Sequence, residues 1–352
     1  MVTKLAASPI VESKPITLFK PGEQRAVDAY GRQMTYLRIS LTDRCNFRCT
    51  YCMPAIGMKF QPREEMLTDD ELITVVGAFA DLGFTKFRLT GGEPTIRPHL
   101  VDIVRAIKQF PAVEEVTMTT NALLMGRMAN DLAAAGMDRI NVSLDTLDAD
   151  RFKEMTRGGR FDMVWNGILA AEAAGMTPIK INSVVVRGQN EQDVVELAKL
   201  TLEKDWQMRF LEIMPMEGVG MVYDEGLVTS EETQARLEYA FGPLEHVASP
   251  PGDPARVWKI PGAKAERIWL GRNDATFAGA AAPSITSSYL PIAGRFDVGG
   301  TDDVVVGEQV VVAQAGTGVE LVALKEAEAV EQRRVVEVEA GRVGGVAHHG
   351  EH

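Results

Sequence analysis

The sequence is short of cysteine, of long apolar runs and of positive charge. Its 352 residues include only three cysteines, and 37 basic residues are outnumbered by 49 acidic ones, for a formal net charge of −12. This balance argues against general nucleic-acid binding, which depends on clustered Lys and Arg that neutralise phosphates. No stretch approaches the ~18 apolar residues that span a membrane, and residues 1–14 lack the apolar core of a secretory signal. These absences predict a cytoplasmic protein without a nucleic-acid or membrane partner.

The three cysteines that are present stand close together, because Cys45, Cys49 and Cys52 fall within eight residues. An odd, clustered set favours a metal or cluster site in a reducing compartment over a disulfide framework. A 4Fe–4S cluster normally takes four cysteines, so three ligands would leave one iron open for a reactive ligand. A structural zinc site would need His99 or His246 as its fourth ligand. A redox pair of Cys49 and Cys52 would leave Cys45 without a role.

Strand and helix patterns alternate along residues 34–216, which predicts an α/β fold. Strands are predicted from alternating β-branched residues at 34–41, 87–90, 115–119, 138–143, 179–186 and 207–213. Helices are predicted after the capping box of Thr68 and Glu71, and at about 98–109, 123–135, 148–172 and 190–203. Strands joined through helices form parallel sheets, either a partly closed barrel or an open doubly wound sheet. In both cases ligands bind at the C-terminal ends of the strands.

The last quarter of the chain has a different composition. Residues 265–352 are rich in Ala, Gly, Val and Glu, and they carry seven basic and thirteen acidic residues, half of the net charge. Val-rich runs at 304–306 and 310–312 predict short strands, and residues 322–334 predict a helix.

Two motifs at predicted strand ends resemble the radical S-adenosylmethionine (SAM) superfamily. DRCNFRCTYCMP (43–54) resembles the signature in which three cysteines hold a cluster whose open iron binds SAM, and GGEP (91–94) follows the next strand. The segments FRLTGGEPTIR, MTTNALLM, INVSLDTLD, PIKINSVVVRGQN and MRFLEIMPMEG then occur in order. Together these segments resemble the MoaA family of GTP 3′,8-cyclases over about residues 28–264.

The resemblance implies a partial (β/α)6 TIM-type barrel of the radical SAM class with a divergent C-terminal extension. The expected organisation is an N-terminal lead-in (1–33), the barrel (34–216), a barrel-completing or linker region (217–264) and a divergent tail (265–352).

The resemblance also implies the site residues. Cys45, Cys49 and Cys52 would hold one 4Fe–4S cluster, and no catalytic residue is assigned beyond it. SAM would be bound by Tyr51, Gly92, Glu93, Ser143 and Met214. GTP would be bound by Arg38, Arg88, Thr119 and Lys180. Cations at strand ends suit a triphosphate independently of the resemblance, since Arg can bind phosphate through two hydrogen bonds.

The implied activity is that of a radical SAM lyase in the first step of molybdenum cofactor biosynthesis. A 5′-deoxyadenosyl radical would remove hydrogen from C3′ of GTP, and attack on C8 would yield (8S)-3′,8-cyclo-7,8-dihydro-GTP. The implied partners are GTP, SAM, a flavodoxin- or ferredoxin-type electron donor and a second copy in a homodimer. The alternatives are a radical SAM enzyme for another nucleotide or a peptide, and a non-catalytic metal-binding protein with three cysteines.

The tail departs from the family pattern, which places a second cluster on a Cys-x-x-Cys pair, a later cysteine and an Arg-rich stretch between them. No cysteine follows Cys52, and residues 277–281 read FAGAA about where the pair is expected. A second 4Fe–4S cluster is therefore not supported, and impaired cyclisation is expected. The tail is either a diverged sequence or one read in an altered frame.

Overall fold

The structure of the protein is a computed structural model. It describes Ala26 and residues 33–56, 59–214, 223–248, 256–265 and 267–271, together with the backbone of four strands between residues 294 and 323. Most of the predicted lead-in, the helix predicted beyond residue 323 and residues 277–281 lie outside the described residues.

Six parallel strands form the centre of the fold, as predicted. They are β1 (Tyr36–Ser40), β2 (Lys86–Thr90), β3 (Glu115–Thr120), β4 (Arg139–Ser143), β5 (Lys180–Val185) and β6 (Gln207–Glu212). They pair in sequence order, each parallel to the next. Sequential parallel pairing requires a crossover after each strand, which is the connectivity of a (β/α) barrel.

Helices provide these crossovers. They are α1 (Asp69–Asp81), α2 (Leu100–Ile107), α3 (Met125–Ala135), α4 (Ala149–Met155), α5 (Phe161–Ala173) and α6 (Val194–Glu203), followed by α7 (Tyr223–Gly226) and α8 (Ser230–Phe241). The predicted capping box is confirmed, because the Thr68 hydroxyl accepts from the amide of Glu71 and the Glu71 carboxylate accepts from the amide of Thr68.

The single helix predicted at 148–172 is wrong in one respect. It is divided into α4 and α5 by a turn in which Arg157 (φ 53°) and Gly158 (φ 115°) have left-handed backbone conformations. A helix cannot continue through two left-handed residues, and the Gly158-Gly159 pair makes the turn accessible.

The two faces of the central sheet differ because successive residues of a strand point to opposite sides. The helix face is apolar and buried, and includes Leu37, Ile39, Phe87, Leu89, Ile140, Val142, Ile181, Met208 and Phe210. The polar face carries Tyr36, Arg38, Arg88, Thr117, Thr119, Arg139, Asn141, Ser143, Lys180, Asn182, Gln207 and Arg209. Neighbouring helices contact one another in the order α1–α2–α3–α5, so they cover one side of the sheet. The polar face therefore lines the partial barrel.

Further strands extend both edges. Beyond β6, β7 (Glu245–Val247), β8 (Arg256–Lys259) and β9 (Ile268–Gly271) continue the sheet in the order β6-β9-β8-β7. In the tail, β10 (Gly294–Phe296) pairs with β11 (Val304–Val306), while β12 (Val310–Ala315) and β13 (Gly318–Ala323) join the edge beside β1.

These tail strands confirm the two Val-rich predictions and correct a third. Val322 and Ala323 end strand β13 rather than beginning a helix. The backbone of β13 pairs with β1 over Val319–Val322, which outweighs a local helical pattern. In the part of the chain described above, no helix is long and apolar enough to cross a membrane.

Candidate active site

The cysteine loop follows β1 at its C-terminal end. Its three thiols form no disulfide; those of Cys45 and Cys49 are half-buried, and that of Cys52 is exposed. The Arg48 guanidinium donates to the carbonyls of Cys45 (2.6 Å) and Phe47 (2.8 Å), so this cation organises the loop's backbone. The loop is therefore pre-shaped by its own neighbouring residues.

The loop after β3 is bound to the cysteine loop. Asn121 Nδ2 donates to Asn46 Oδ1 (2.7 Å) and lies 3.9 Å from the Sγ of Cys45. The sequence prediction did not include Asn121, although its place directly after a barrel strand was a usable signal.

Gly91 and Gly92 bring the loop after β2 against the cysteine loop. Gly91 has φ +137°, and a Cβ built on Gly92 would lie 2.1 Å from the carbonyl oxygen of Arg44. The amide of Gly92 donates to the carbonyl of Thr42 at 2.6 Å. Only glycine fits this approach. The pair thus has a structural role in joining two loops, beside the SAM contact expected of Gly92.

The carboxylate of Glu93 is fully buried and hydrogen-bonded. It accepts from the hydroxyls of Thr95 (2.5 Å) and Thr120 (2.6 Å) and from the amide of Asn121 (2.7 Å). Burial raises the pKa of Glu93, while these donors act in the opposite direction. Glu93 therefore connects the loops after β2 and β3, and these protein donors occupy both carboxylate oxygens.

Tyr51 is anchored by a buried carboxylate. Its hydroxyl donates to Asp145 Oδ2 (2.6 Å), and the amide of Val184 donates to Asp145 Oδ1 (2.9 Å). Burial raises the pKa of Asp145 to about 6, against the effect of these donors. The cysteine loop is thereby fixed to β4 and β5. Asp145 was not predicted, because an Asp in a lone Leu-Asp-Thr segment has no distinctive spacing.

The surroundings of the three cysteine side chains suit thiolates bound to an iron–sulfur cluster better than thiolates without a metal. Burial raises the pKa of Cys45, Cys49 and Cys52, and the negative charges of Asp145 and of the other thiolates add to the effect at Cys49 and Cys52. Mutually repelling thiolates are stabilised by iron, which binds sulfur as thiolate. The donor set therefore fits a 4Fe–4S cluster held by Cys45, Cys49 and Cys52.

The histidines that a zinc site would require are engaged elsewhere. His99 Nδ1 lies 3.0 Å from Asp69 Oδ2, and the His246 ring packs against Trp258 with its centroid 5.2 Å away. Among the described residues, no group of three His, Cys, Asp or Glu side chains is arranged to hold a single metal ion.

Five basic side chains lie together on the polar face of the sheet. They are called the cation cluster here: Arg38, Arg88, Arg139, Lys180 and Arg209. Arg38 and Arg88 are Cα partners on β1 and β2. Burial, together with the positive charges of Arg139, Arg209 and Arg88, lowers the pKa of Lys180 to about 7. Burial also lowers the pKa of Arg88, with Arg38 and Arg139 contributing. The structure thus brings together the three cations predicted from the sequence. They do not lie at the C-terminal strand ends as expected, because Arg38 and Arg88 are in the middle of β1 and β2 and Lys180 begins β5.

Aromatic rings and one carboxylate complete the cation cluster. Arg88 lies over the ring of Tyr36 at 5.1 Å, while Lys180 and Arg209 lie over Trp269 at 5.1 and 4.8 Å. Glu115 pairs with Arg139 at 2.7 Å. Several cations gathered on one face suit a polyanion such as a triphosphate.

Arg139 and Arg209 were not predicted as site residues. Each is a single Arg in a strand, which sequence alone does not distinguish from a surface charge. The usable signal was the alternation of residues along a strand. Arg139 and Arg209 alternate with buried apolar residues, so both lie on the same face of the sheet as Lys180.

The remaining predicted residues lie towards the C-terminal edge of the sheet, on the side of the cysteine loop. Thr119 is on the polar face of β3, and Ser143 ends β4. Met214 follows β6 and is 58% exposed. Tyr51, Ser143 and Met214 therefore follow or end three different strands, at the edge where barrels place their ligands.

Comparison with known proteins agrees with this arrangement. A family model described as the radical SAM superfamily matches residues 39–201. The partial barrel and the cysteine loop after its first strand define the protein as a member of that superfamily.

Curated relatives are more specific. The chain is 45% identical over 237 residues to a GTP 3′,8-cyclase of Nostoc punctiforme, covering 66% of this chain and 72% of the relative. It is 47% identical to that of a Cyanothece species, again over 66% and 72%, and 41% identical to that of Listeria monocytogenes, over 67% and 72%. The chain belongs to the GTP 3′,8-cyclase family. Among solved structures, Streptococcus suis SuiB bound to SAM gives a TM-score of 0.47 at 21% identity, over 59% of this chain and 47% of SuiB.

Proposed function

We propose that this protein is a radical SAM lyase that converts GTP to 3′,8-cyclo-7,8-dihydro-GTP, the first step of molybdenum cofactor biosynthesis. The observation that carries the proposal is the cation cluster on the polar face, which lies in the same barrel as the cysteine loop. A polyphosphate site inside a barrel with a SAM-type cysteine loop fits a nucleoside triphosphate as substrate.

The residues divide into two groups in this proposal. Cys45, Cys49 and Cys52 hold one 4Fe–4S cluster, which together with SAM supplies a 5′-deoxyadenosyl radical when bound. Tyr51, Gly92, Glu93, Ser143 and Met214 hold SAM at the C-terminal edge, and Glu93 also positions the loop of Gly92. The protein's contribution is to place the reacting atoms and to exclude water.

The second group binds GTP. Arg38, Arg88 and Lys180 neutralise the triphosphate, and Thr119 donates a further hydrogen bond. Fixing the triphosphate at buried cations would hold the sugar towards the C-terminal edge, where SAM is proposed to bind. Positioning of this kind can contribute several kcal/mol to lowering a barrier, on the order of 7–11 in favourable cases.

The cofactor and partner proposals follow from the same assignment. One cluster is proposed, since the chain has no cysteine after Cys52. Without a second cluster the guanine is held less firmly, so turnover is expected to be impaired. A flavodoxin- or ferredoxin-type donor would supply the electron, and a cytoplasmic homodimer is proposed as the working form.

The direct test is anaerobic reconstitution followed by incubation of the reduced protein with SAM and GTP. About four irons with matching sulfide per chain are expected, and mass spectrometry should detect both 5′-deoxyadenosine and cyclised GTP. Deoxyadenosine without any product from GTP would remove the cyclase assignment and favour another nucleotide or a peptide as substrate. Tight zinc with no sulfide would contradict the radical SAM chemistry itself.

A further inference from the structure

Asn141 is a completely buried amide in the middle of strand β4. Its exposed fraction is 0%, and among the residues that the structure describes neither its Oδ1 nor its Nδ2 has a hydrogen-bond partner. Buried polar atoms are almost always paired, so a side chain with both of its polar ends unpaired points to a group that binds there.

The position of Asn141 relates it to the proposed nucleotide site. On β4 it lies on the polar face between Arg139 and Ser143, while Ile140 and Val142 face the helices. Its Cα partners on the neighbouring strands are Thr119 and Lys180. Ser143 is two residues further along the strand, a rise of about 6.6 Å. Asn141 thus separates cations from the edge where SAM is proposed to bind.

A second amide on the polar face, at a partly buried position, shares this property at one of its two polar atoms. The Oδ1 of Asn182 on β5 is buried and has no partner in the described part of the chain. Asn182 is the Cα partner of Ser143 on β4, and on β5 it stands two residues after Lys180, on the same face. The two amides therefore stand on adjacent strands, beside the cations but without charge.

The chemistry of an amide complements that of a hydroxyl. A carboxamide donates and accepts hydrogen bonds without net charge, and a sugar hydroxyl does the same. Cations bind the phosphates of a nucleotide, and the pentose is the next group along the molecule. In the proposed reaction the C3′ of this pentose has to be reached from the C-terminal edge, so the pentose would lie between the cations and that edge. We propose that Asn141 and Asn182 form a subsite for the ribose hydroxyls and select ribonucleotides over deoxyribonucleotides. This inference rests on the proposed function, because that function places a nucleoside triphosphate in the barrel.

The test is isothermal titration calorimetry of the full-length protein with GTP, ATP, 2′-deoxy-GTP, 3′-deoxy-GTP and inorganic triphosphate. The wild-type protein should bind GTP at least about tenfold more tightly than one of the deoxy analogues, since losing a hydroxyl would leave the amides unpaired. Asn141→Leu, of similar size, should weaken GTP about tenfold and remove this preference. Its affinity for inorganic triphosphate should stay unchanged.

Two further variants keep the result interpretable. Ser183→Ala is the matched control, because Ser183 is equally buried on β5 with an unpartnered Oγ but faces the helices. It should retain the full preference. Asn182→Ala, at a partly exposed position, should reduce the preference about threefold even if Asn141→Leu fails to fold.

The outcomes separate the two proposals. If ATP shows a hydroxyl preference that Asn141→Leu removes while GTP does not bind, the subsite stands and the GTP assignment fails. Equal binding of all nucleotides by the wild-type protein, as expected if buried water satisfies the amides, would overturn the subsite and leave the cation cluster intact. An unchanged preference in both asparagine variants, or no nucleotide binding at all, would also overturn it.

Discussion

The helix face and the polar face of the central sheet are made from alternate residues of the same strands, yet they have opposite properties. On β2, Phe87 is 0% exposed and packs in the apolar core, while the next residue, Arg88, joins the cation cluster. The helix face gains free energy from burial. The polar face holds like charges together in a partly desolvated lumen, which opposes folding. Stability and ligand binding therefore depend on different sides of one sheet, and substitutions should separate the two.

The largest expected effect is on activity, and it comes from the cysteine loop that follows β1. Cys49→Ala should abolish formation of deoxyadenosine, because the cluster loses one of three ligands. Its unfolding midpoint, compared with wild-type protein that carries no cluster, should change little. Iron analysis, product chromatography and thermal melting measure the three quantities. Substantial deoxyadenosine from this variant would refute the assignment of the loop.

The most direct comparison uses neighbouring residues of β2. Phe87→Ala should lower the free energy of unfolding by about 3–5 kcal/mol through a core cavity. Arg88→Met should stay within about 1 kcal/mol of wild type, since it relieves repulsion in the cation cluster, but should weaken GTP binding about tenfold or more. Urea unfolding and calorimetry provide the two readings. An equal loss of stability in both variants would contradict the assignment of stability to the helix face and of ligand binding to the polar face.

A change of pH should separate stability from ligand binding through the titration of Lys180. Its pKa is about 7 in the folded protein, whereas an unfolded lysine keeps its proton to about pH 10. Between these values the unfolded state binds more protons, so the stability of the ligand-free protein should rise with pH in this window. GTP affinity should fall over the same range, by up to about tenfold per pH unit, because triphosphate favours charged lysine.

The control for this effect is Lys180→Met, which should lose that part of the pH dependence in both measurements. Titration of the nucleotide itself would persist in this variant. If the wild-type and variant profiles coincide, Lys180 does not titrate near neutral pH.

The smallest effect is expected outside both faces. Thr68→Ala removes the capping box of α1 and should cost about 1 kcal/mol, with GTP affinity unchanged. Thr74→Ala, in the same helix, should have an effect near zero, because within the described part of the chain the Thr74 hydroxyl donates only to the carbonyl of Asp70. Chemical denaturation of both variants tests this, and a loss of GTP affinity in Thr68→Ala would show that helix packing and the site are coupled.

Much of the fold was predictable because its signals are local. Strand alternation located β1 to β6, and the Thr68–Glu71 spacing located the start of α1. The break between α4 and α5 was not predicted. A Gly-Gly pair alone does not show whether a helix ends there, because that depends on the packing of the two helices. The tail segment at Val322 was misread for a related reason, because pairing with β1 comes from a distant part of the chain.

The candidate site divides in the same way. Its cysteines are recognisable because three thiols of one loop must be close in sequence to converge. Arg139, Arg209 and Asp145 were not recognisable, since an isolated charge in a strand carries no signal of its partner.

The sequence by itself determined the order of strands and helices, the cysteine loop and the absence of a cysteine beyond Cys52. Only the tertiary structure decided which charges meet, which glycines allow two loops to join and which buried amides have no partner among the described residues. The physical reason is that periodicity and spacing act over a few residues, whereas the register of parallel strands sets residues such as Arg38 and Arg209 on one face across most of the barrel. Charge, burial and desolvation then act on that arrangement, and no local segment contains it.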